Sequence, residues 1–255
     1  NGGGSAYASL RNCAVFGNEA VDEGGGTYFG AQYHSSITGN RAGWGGGSAY
    51  GALYNSVCYY NEASISYPNT FEAACYNTCA APMPEGNNNF TNEPVLSGAR
   101  NPHLTAASPC RSAGATNYIQ TTADIDGEPR ASAASTDAGC DQYWPAAITG
   151  TLSAAIACEA SNAVAGIPLL FKGETTGKPA SIAWNWGDGT QSSNTLWATH
   201  AFGSTGEYMV VFAAANLEGA AAATARVRVV SGFTTYVSRA GLHTPPFTNW
   251  AGAAT

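Results

Sequence analysis

The residues of this chain that could do chemistry are seventeen acids, four histidines and seven cysteines, and the first question is whether any of them converge. Glycoside hydrolysis needs two carboxyl groups facing each other across a bond. The N-terminal part offers Glu19, Asp22, Glu23, Glu62 and Glu72. Glu19 and Glu62 hold equivalent places in the repeats described below, but Arg41 holds the same place between them, and alternating charge of that kind reads as a solvated turn. A lyase would set a strong base beside cation-binding acids, and Arg11 and Arg41 fall at different places. His103 and His243 have no acid or nucleophile near them in the chain, and His34 stands where neighbouring repeats carry Asn12 and Asn55. Gly173-Glu-Thr-Thr-Gly-Lys178 is a residue short of a phosphate loop and continues with Pro179 where Ser or Thr is required. Asp124-Ile-Asp126-Gly127-Glu128 is half of a calcium loop, and Asp188 is a second calcium candidate. The alternative at the first is a turn in which an aspartate pairs with Arg130. Cys75-x-x-x-Cys79 lacks the second pair that a zinc site needs. The sequence therefore predicts no catalytic residue and no cofactor, calcium apart.

The elements that would position these residues come from three near-copies of one segment. GGGSAYASLRNCAVFGNEA begins at Gly2, GGGTYFGAQYHSSITGNRA at Gly24 and GGGSAYGALYNSVCYYNEA at Gly45, after steps of 22 and 21 residues. A period near twenty marks a solenoid, in which stacked repeats build one core. Short alternating runs such as Cys13-Ala-Val-Phe16 have a period of two and read as strands. The prediction is a parallel β-helix with coils about 4.8 Å apart, of about four to five coils over residues 1–80, then an irregular segment to about 145. Equivalent residues should stack. Asn18, Asn40 and Asn61 should form a structural asparagine ladder, and the glycine triplets should turn corners with positive φ. Alternation places Val15, Ile37 and Cys58 inside and Phe16, Thr38 and Tyr59 outside. Tyr7, Phe29 and Tyr50 should face out, either as a platform for sugar rings or as a stack that stabilises the exposed sheet.

These copies resemble the repeats of bacterial surface proteins with a right-handed, pectin-lyase-like parallel β-helix. Cys79-Ala-Ala-Pro-Met-Pro, Gly86-Asn-Asn-Asn-Phe-Thr, Asn92-Glu-Pro, His103-Leu-Thr-Ala-Ala-Ser-Pro-Cys110, Ala113-Gly114 and Asp124-Ile-Asp-Gly-Glu-Pro-Arg130 match, in order, the closing segment of such helices. The resemblance covers roughly residues 1–140. It implies export and favours a disulfide between Cys79 and Cys110. Cys58, one coil before Cys79, is a rival partner.

From about Leu152 the texture changes to longer alternating runs. Ile182-Ala-Trp-Asn-Trp-Gly-Asp-Gly-Thr190, Thr199-His-Ala-Phe202 and Gly206-Glu-Tyr-Met-Val-Val-Phe212 resemble a PKD domain, an immunoglobulin-like β-sandwich. In it Trp184 and Trp186 share a strand face, Asp188 shapes the turn after that strand, and His200 is a structural hydrogen-bonder. The last residues, 233–255, resemble the opening of another β-helix. The chain thus reads as all-β, with a β-helix over 1–145, a PKD sandwich over 152–232, and a linker or following module over 233–255. It is expected to be a window onto a longer tandem protein. Tyr236, Val237, Phe247 and Trp250 are candidates for an inter-subunit tail that adds to a neighbouring chain.

Charged residues make up only 11% of the chain and the net charge is −7. Ten scattered cations argue against nucleic acid, and no apolar run is long enough to span a bilayer. The expected role is structural: a stalk, fibre or adhesin module, secreted or on a bacterial surface, whose partners are itself, neighbouring modules or surface glycans. The alternative is a carbohydrate-binding or polysaccharide-degrading β-helix with a PKD accessory.

Overall fold

A computed structural model describes residues 1–130 and 134–232. The tail candidates Tyr236, Val237, Phe247 and Trp250 lie outside the described residues. The chain is all-β, as the sequence predicts. Its first part is a parallel β-solenoid in which each repeat gives one strand to each of three ladders. The first stacks Ser5–Ala6, Thr27–Tyr28, Ser48–Ala49 and Thr70–Phe71, and the third stacks Ala14–Phe16, Ser36–Thr38, Val57–Tyr59 and Cys79–Ala80. Between them lie Leu10–Arg11, Ala31–Tyr33, Ala52–Tyr54, Ala74–Tyr76 and Gly86–Asn87.

These rungs complete about three turns, fewer than the four to five expected. The fourth repeat explains why. Thr70 pairs with Ser48, so Tyr67-Pro68-Asn69 sits where earlier coils carry a glycine triplet. After Ala80 the chain turns through Pro82 and Pro84, which have no N–H for another ladder. Gly86–Asn87 adds one shortened rung.

The asparagine column holds the stack in register. Asn18 Nδ2 donates to Asn40 Oδ1 at 3.0 Å, and Asn40 Nδ2 donates to Asn61 Oδ1 at 3.0 Å. The backbone N–H groups of Asn18 and Asn40 donate to the same two oxygens. Asn69 extends the column: its Oδ1 accepts from Asn61 Nδ2 at 3.0 Å, and its own Nδ2 donates to the Ala81 carbonyl. The glycine triplets serve two purposes. Their first members, Gly2, Gly24 and Gly45, have φ of 72°, 65° and 57°. Their third members are small because a Cβ there would run into the column, at 2.9 Å from Asn40 Nδ2 for Gly26.

Ile37, Leu53, Cys58, Cys75 and Ala80 form the narrow solenoid core. Thr38, expected outside, is fully buried, because the hairpin Leu96–Gly98 and Asn101–Leu104 lies over it and Ala99 O accepts from Thr38 Oγ1 at 2.6 Å. The closing segment covers the outward face of the third ladder. Register also corrects one thiol pairing. Cys58 stacks on Ala80 inside, whereas Cys79 follows Ser36 and Val57 on the opposite face, so Cys58 and Cys79 are not stacked. There Cys79 meets the buried Cys110, whose thiol, after burial itself, helps push the Cys79 thiol well up.

The second part is a β-sandwich. One sheet holds Ser153–Cys158, Leu169–Thr176 and Trp197–His200. The other holds Asn162–Val164, Ala220–Val230, Gly206–Ala215, Ser181–Asn185 and Gln191–Ser193. Strand alternation buries Trp184 and Trp186, stacked at 5.1 Å and 3°, with Phe171, Val210 and Phe212, and leaves Met209 outside. The core of the sandwich and that of the closing segment are one cluster.

Replacing Asn40 by Ala strands the Asn18 N–H and two buried carbonyls, of Val15 and Thr38. Urea unfolding is expected to show a loss of about 2–4 kcal/mol. Asn18→Ala, at the partly exposed end, should lose about 1 kcal/mol.

Candidate functional site

The turn after each strand of the first ladder places one residue in left-handed backbone: Tyr7, Phe29, Tyr50 and Glu72, with φ of 56°, 57°, 57° and 48°. Such a φ is uncommon for bulky side chains. Here it recurs at the same place in every coil, so the rings superpose. Tyr7 and Phe29 stack at 5.2 Å and 8°, and Phe29 and Tyr50 at 4.9 Å and 12°. Tyr28 packs edge-on against all three. The structure therefore brings the three predicted aromatics together, but in a different posture from a flat platform. Both faces of Phe29 are occupied by its neighbours, and the column turns ring edges to solvent. Tyr7 at its end is 74% exposed against 38% for Phe29.

The stripe continues past Tyr50 to Phe71, edge-on at 5.5 Å, and from Phe71 to Trp44 at 5.4 Å and Tyr67 at 5.3 Å. Acids flank it. Tyr50 Oη donates to Glu23 Oε1 at 3.2 Å. Loss of solvent around the ring, then Glu23 and Glu72, raise the Tyr50 phenol above its ordinary value. Beside Phe71 a groove of about 540 Å³ opens between Tyr67 and the Pro82-Met83-Pro84 segment, with Glu72 and Glu85 in its lining.

A second column went unread in the sequence. Tyr33, Tyr54 and Tyr76 stack at 4.8 Å and 5.1 Å with the rings within 10° and 7° of parallel, and Arg11 sits 5.9 Å over Tyr33. Arg11, Tyr33 and Tyr54 hold the same place in the three copies, so the signal was present. His34 is buried in the adjoining column, its Nε2 2.9 Å from Asn55 Nδ2. Burial, then the Arg130 charge, lowers its pKa to about 3, so it is neutral. Arg130 itself donates to Asn12 and to the carbonyls of Gly139 and Cys140, in place of the expected aspartate pair.

The calcium candidates Asp124 and Asp126 lie in a charge cluster spanning both modules. Ligand oxygens of Asp124, Asp126, Glu128 and Asp141 lie within 4.8 Å of one another. Asp124 accepts from the N–H groups of Asp126, Glu128 and Gln142. Lys178 of the sandwich reaches Asp126 at 2.8 Å and Glu128 at 3.1 Å, and His103 Nε2 reaches Asp126 at 2.9 Å. An ammonium thus supplies positive charge that a metal would otherwise bring. Asp188 Oδ1 accepts from Thr190 and its Oδ2 lies 2.7 Å from His200 Nε2, whose ring stacks on Trp186 at 4.5 Å. Desolvation opposes its charge, but the bonds from Thr190 and His200 win and lower its pKa to about 2. Glu62 pairs with Lys172 at 2.7 Å. Two grooves gather carboxylates: Glu72 and Glu85 line the one beside Phe71, and Glu19, Glu62 and Glu174 line another of about 310 Å³ together with Arg41, Arg100 and Lys172.

Asp141 is an acid whose environment works against its charge. Burial, opposed by the Leu104 N–H and reinforced by Asp124 and Asp126, raises its pKa to about 7. Because the folded value lies above the unfolded one, the folded state holds the extra proton between about pH 4 and 7, and stability falls as pH rises through that window. Asp141→Asn keeps an acceptor for the Leu104 N–H and removes the charge. Thermal unfolding should show the variant gaining on the parent from pH 4 to pH 8, and a gain independent of pH would contradict the assignment.

Comparison with known proteins agrees with this geometry for the second part. Residues 153–229 match the PKD domain. No curated protein matches the chain. One similar solved structure is described as "Structural basis for the promiscuous specificity of the carbohydrate-binding modules from the beta-sandwich super family", at 18% identity and TM-score 0.31, over 35% of this chain and 38% of that one. The chain thus spans well under half the length of that protein. Another is a solution NMR structure from Methanosarcina mazei, at 22% identity and TM-score 0.27, over 44% of this chain and 81% of that one. No helix among the described residues is long and apolar enough to cross a membrane. Residues 153–229 are a PKD β-sandwich, of a kind typical of extracellular proteins, and a parallel β-solenoid of about three turns precedes it.

Proposed function

We propose that this chain is a non-catalytic structural module of a secreted or cell-surface protein, a stalk or fibre segment that holds its neighbours at a fixed distance and angle. One observation carries the reading: solenoid and sandwich are clamped together through buried groups. Glu93, leaving the solenoid, accepts from Tyr60 Oη at 2.8 Å, and from Leu196 N and Thr195 Oγ1 of the sandwich, both at 2.6 Å. Asn101 donates to the carbonyls of Thr175 and Gly177, and Thr175 Oγ1 donates to Ser97 O. The backbone of Ala99 and Arg100 at the hairpin tip favours the charged form of the Glu174 carboxylate, against the burial that raises its pKa. Trp197 packs on Tyr60 at 5.2 Å, and Lys172 lies over its ring at 4.2 Å. A hinged accessory domain needs a linker with few contacts, whereas a spacer needs this kind of clamp.

An exported protein would also use its thiols. Cys79 joins the last full coil and Cys110 the closing segment, and a disulfide between them would fasten the end of the solenoid. Peptide mapping of secreted protein under non-reducing conditions is expected to recover Cys79 and Cys110 in one linked peptide, with Cys58 and Cys75 as thiols.

Glu93→Ala leaves the Tyr60 hydroxyl and the Leu196 N–H without a partner. The expected loss is about 2–4 kcal/mol. Spin labels on the two modules should give one narrow distance in the parent and a broad distribution in the variant. A broad distribution in the parent would defeat the spacer reading, as would turnover of an acidic glycan abolished by Glu62→Gln.

A further inference from the structure

We propose that the groove beside Phe71 binds an organic cation, an alkylammonium group carried on an apolar body. This goes beyond the spacer reading and does not depend on it. The groove, about 540 Å³, is lined by Tyr67, Phe71, Pro82, Met83 and Pro84 together with Glu72 and Glu85, and none of its lining residues is cationic. Neither acid takes part in an ion pair among the described residues, although Glu62, Asp126, Glu128 and Asp188 elsewhere do.

Each part of the lining selects for the same chemistry. Aromatic rings attract a cation through their negative faces. Carboxylates attract it by charge, and the low polarity of the Pro, Met and Phe walls strengthens that attraction. An anion is repelled by both acids, and a neutral ligand gains nothing from them. Its size suits a small ligand, and its lining mixes the two carboxylates with apolar side chains, as a cation on an apolar body requires. The acid is also placed by the fold. Glu72 occupies the fourth position of the Tyr7, Phe29, Tyr50 column, in the same left-handed backbone at φ 48°, so the turn that stacks the rings holds its carboxylate beside Phe71. Met83, 59% exposed, and Tyr67, 45% exposed, keep apolar surface open at the rim. A flexible thioether suits an adaptable binding wall.

The test is an NMR titration of the full chain with three probes: choline, Nα-acetyl-lysine amide and glucosamine. They separate a quaternary headgroup from a lysyl side chain and an amino sugar. A neutral isostere of choline, with carbon in place of the ammonium nitrogen, is the control. Shift changes are expected at Tyr67, Phe71, Met83 and Glu72 with at least one cation and not with the isostere. Glu72→Gln and Glu85→Gln, isosteric changes at exposed side chains, should each weaken binding about five- to tenfold and leave the melting temperature unchanged. Added salt should weaken it further. Equal binding of the neutral isostere, undiminished binding by the double variant, or no shift at these residues with any of the cations would each overturn the proposal.

Discussion

The structure depends on one constraint: every coil must bring the chain back over its starting point, one strand spacing higher. Backbone pairing alone allows slippage, because a parallel ladder is uniform along its length. The asparagine column removes that freedom. Asn40 is almost fully buried, and its amide ties five groups together: the Asn18 side chain and N–H above, the Asn61 oxygen below, and carbonyls of its own and the adjacent coil. A coil shifted by one residue would leave all of these unmade in a space with no water to replace them. The glycine at the third triplet position is set by the same column, since the amide occupies the room a Cβ would need.

The same logic explains how the stack ends and how the sandwich is joined to it. At the fourth rung Asn69 takes the place of the third glycine and passes its amide to Ala81, so the column ends on a carbonyl and no acceptor is stranded. The closing segment then covers the face that holds Ser36, Val57 and Cys79: Cys140 N donates to Ser36 Oγ and Gly139 N to Asn55 O. Its hairpin is gripped from the other side by Glu174, Thr175 and the backbone at Gly177. The sandwich is thus built onto the solenoid through a layer that belongs to both.

What could be read in the sequence was whatever repeats or alternates. The columns of Asn18, Asn40 and Asn61 and of Tyr7, Phe29 and Tyr50 came directly from the period, and the Trp184 and Trp186 face from the period of two. The misreadings arise where contacts are long-range or where strict repetition fails. Thr38 looks outward within its own coil, and only Ala99, far along the chain, buries it. Cys58 and Cys79 are 21 residues apart, but at the fourth repeat the offset lengthens from 21 to 22 residues and puts them on opposite faces. Asp141 and Lys178 carry no local signal. They meet Asp126 and Glu128 because the closing segment and the strand Leu169–Thr176 happen to converge there. The tyrosine column at Tyr33, Tyr54 and Tyr76 was legible, but its first member is Arg11, and a column with a mixed first member hides its type.

Repetition also decides where a ligand could be recognised. Each stacked pair of rings is worth about 0.5–1.5 kcal/mol beyond its burial, and the solenoid gains this at Tyr7, Phe29 and Tyr50 and again at Tyr33, Tyr54 and Tyr76. The gain consumes the faces that would bind anything else, so a perfect column is a structural device with little left to offer. Chemistry becomes available where the pattern breaks. At the fourth rung a glutamate replaces the aromatic, Tyr67-Pro68-Asn69 replaces the glycines, and prolines replace the next coil. There Phe71 and Tyr67 line an open groove and Glu72 stands without a cationic partner among the described residues. Because the break in the period is confined to one end of the stack, the columns stay intact and the groove opens only where they stop.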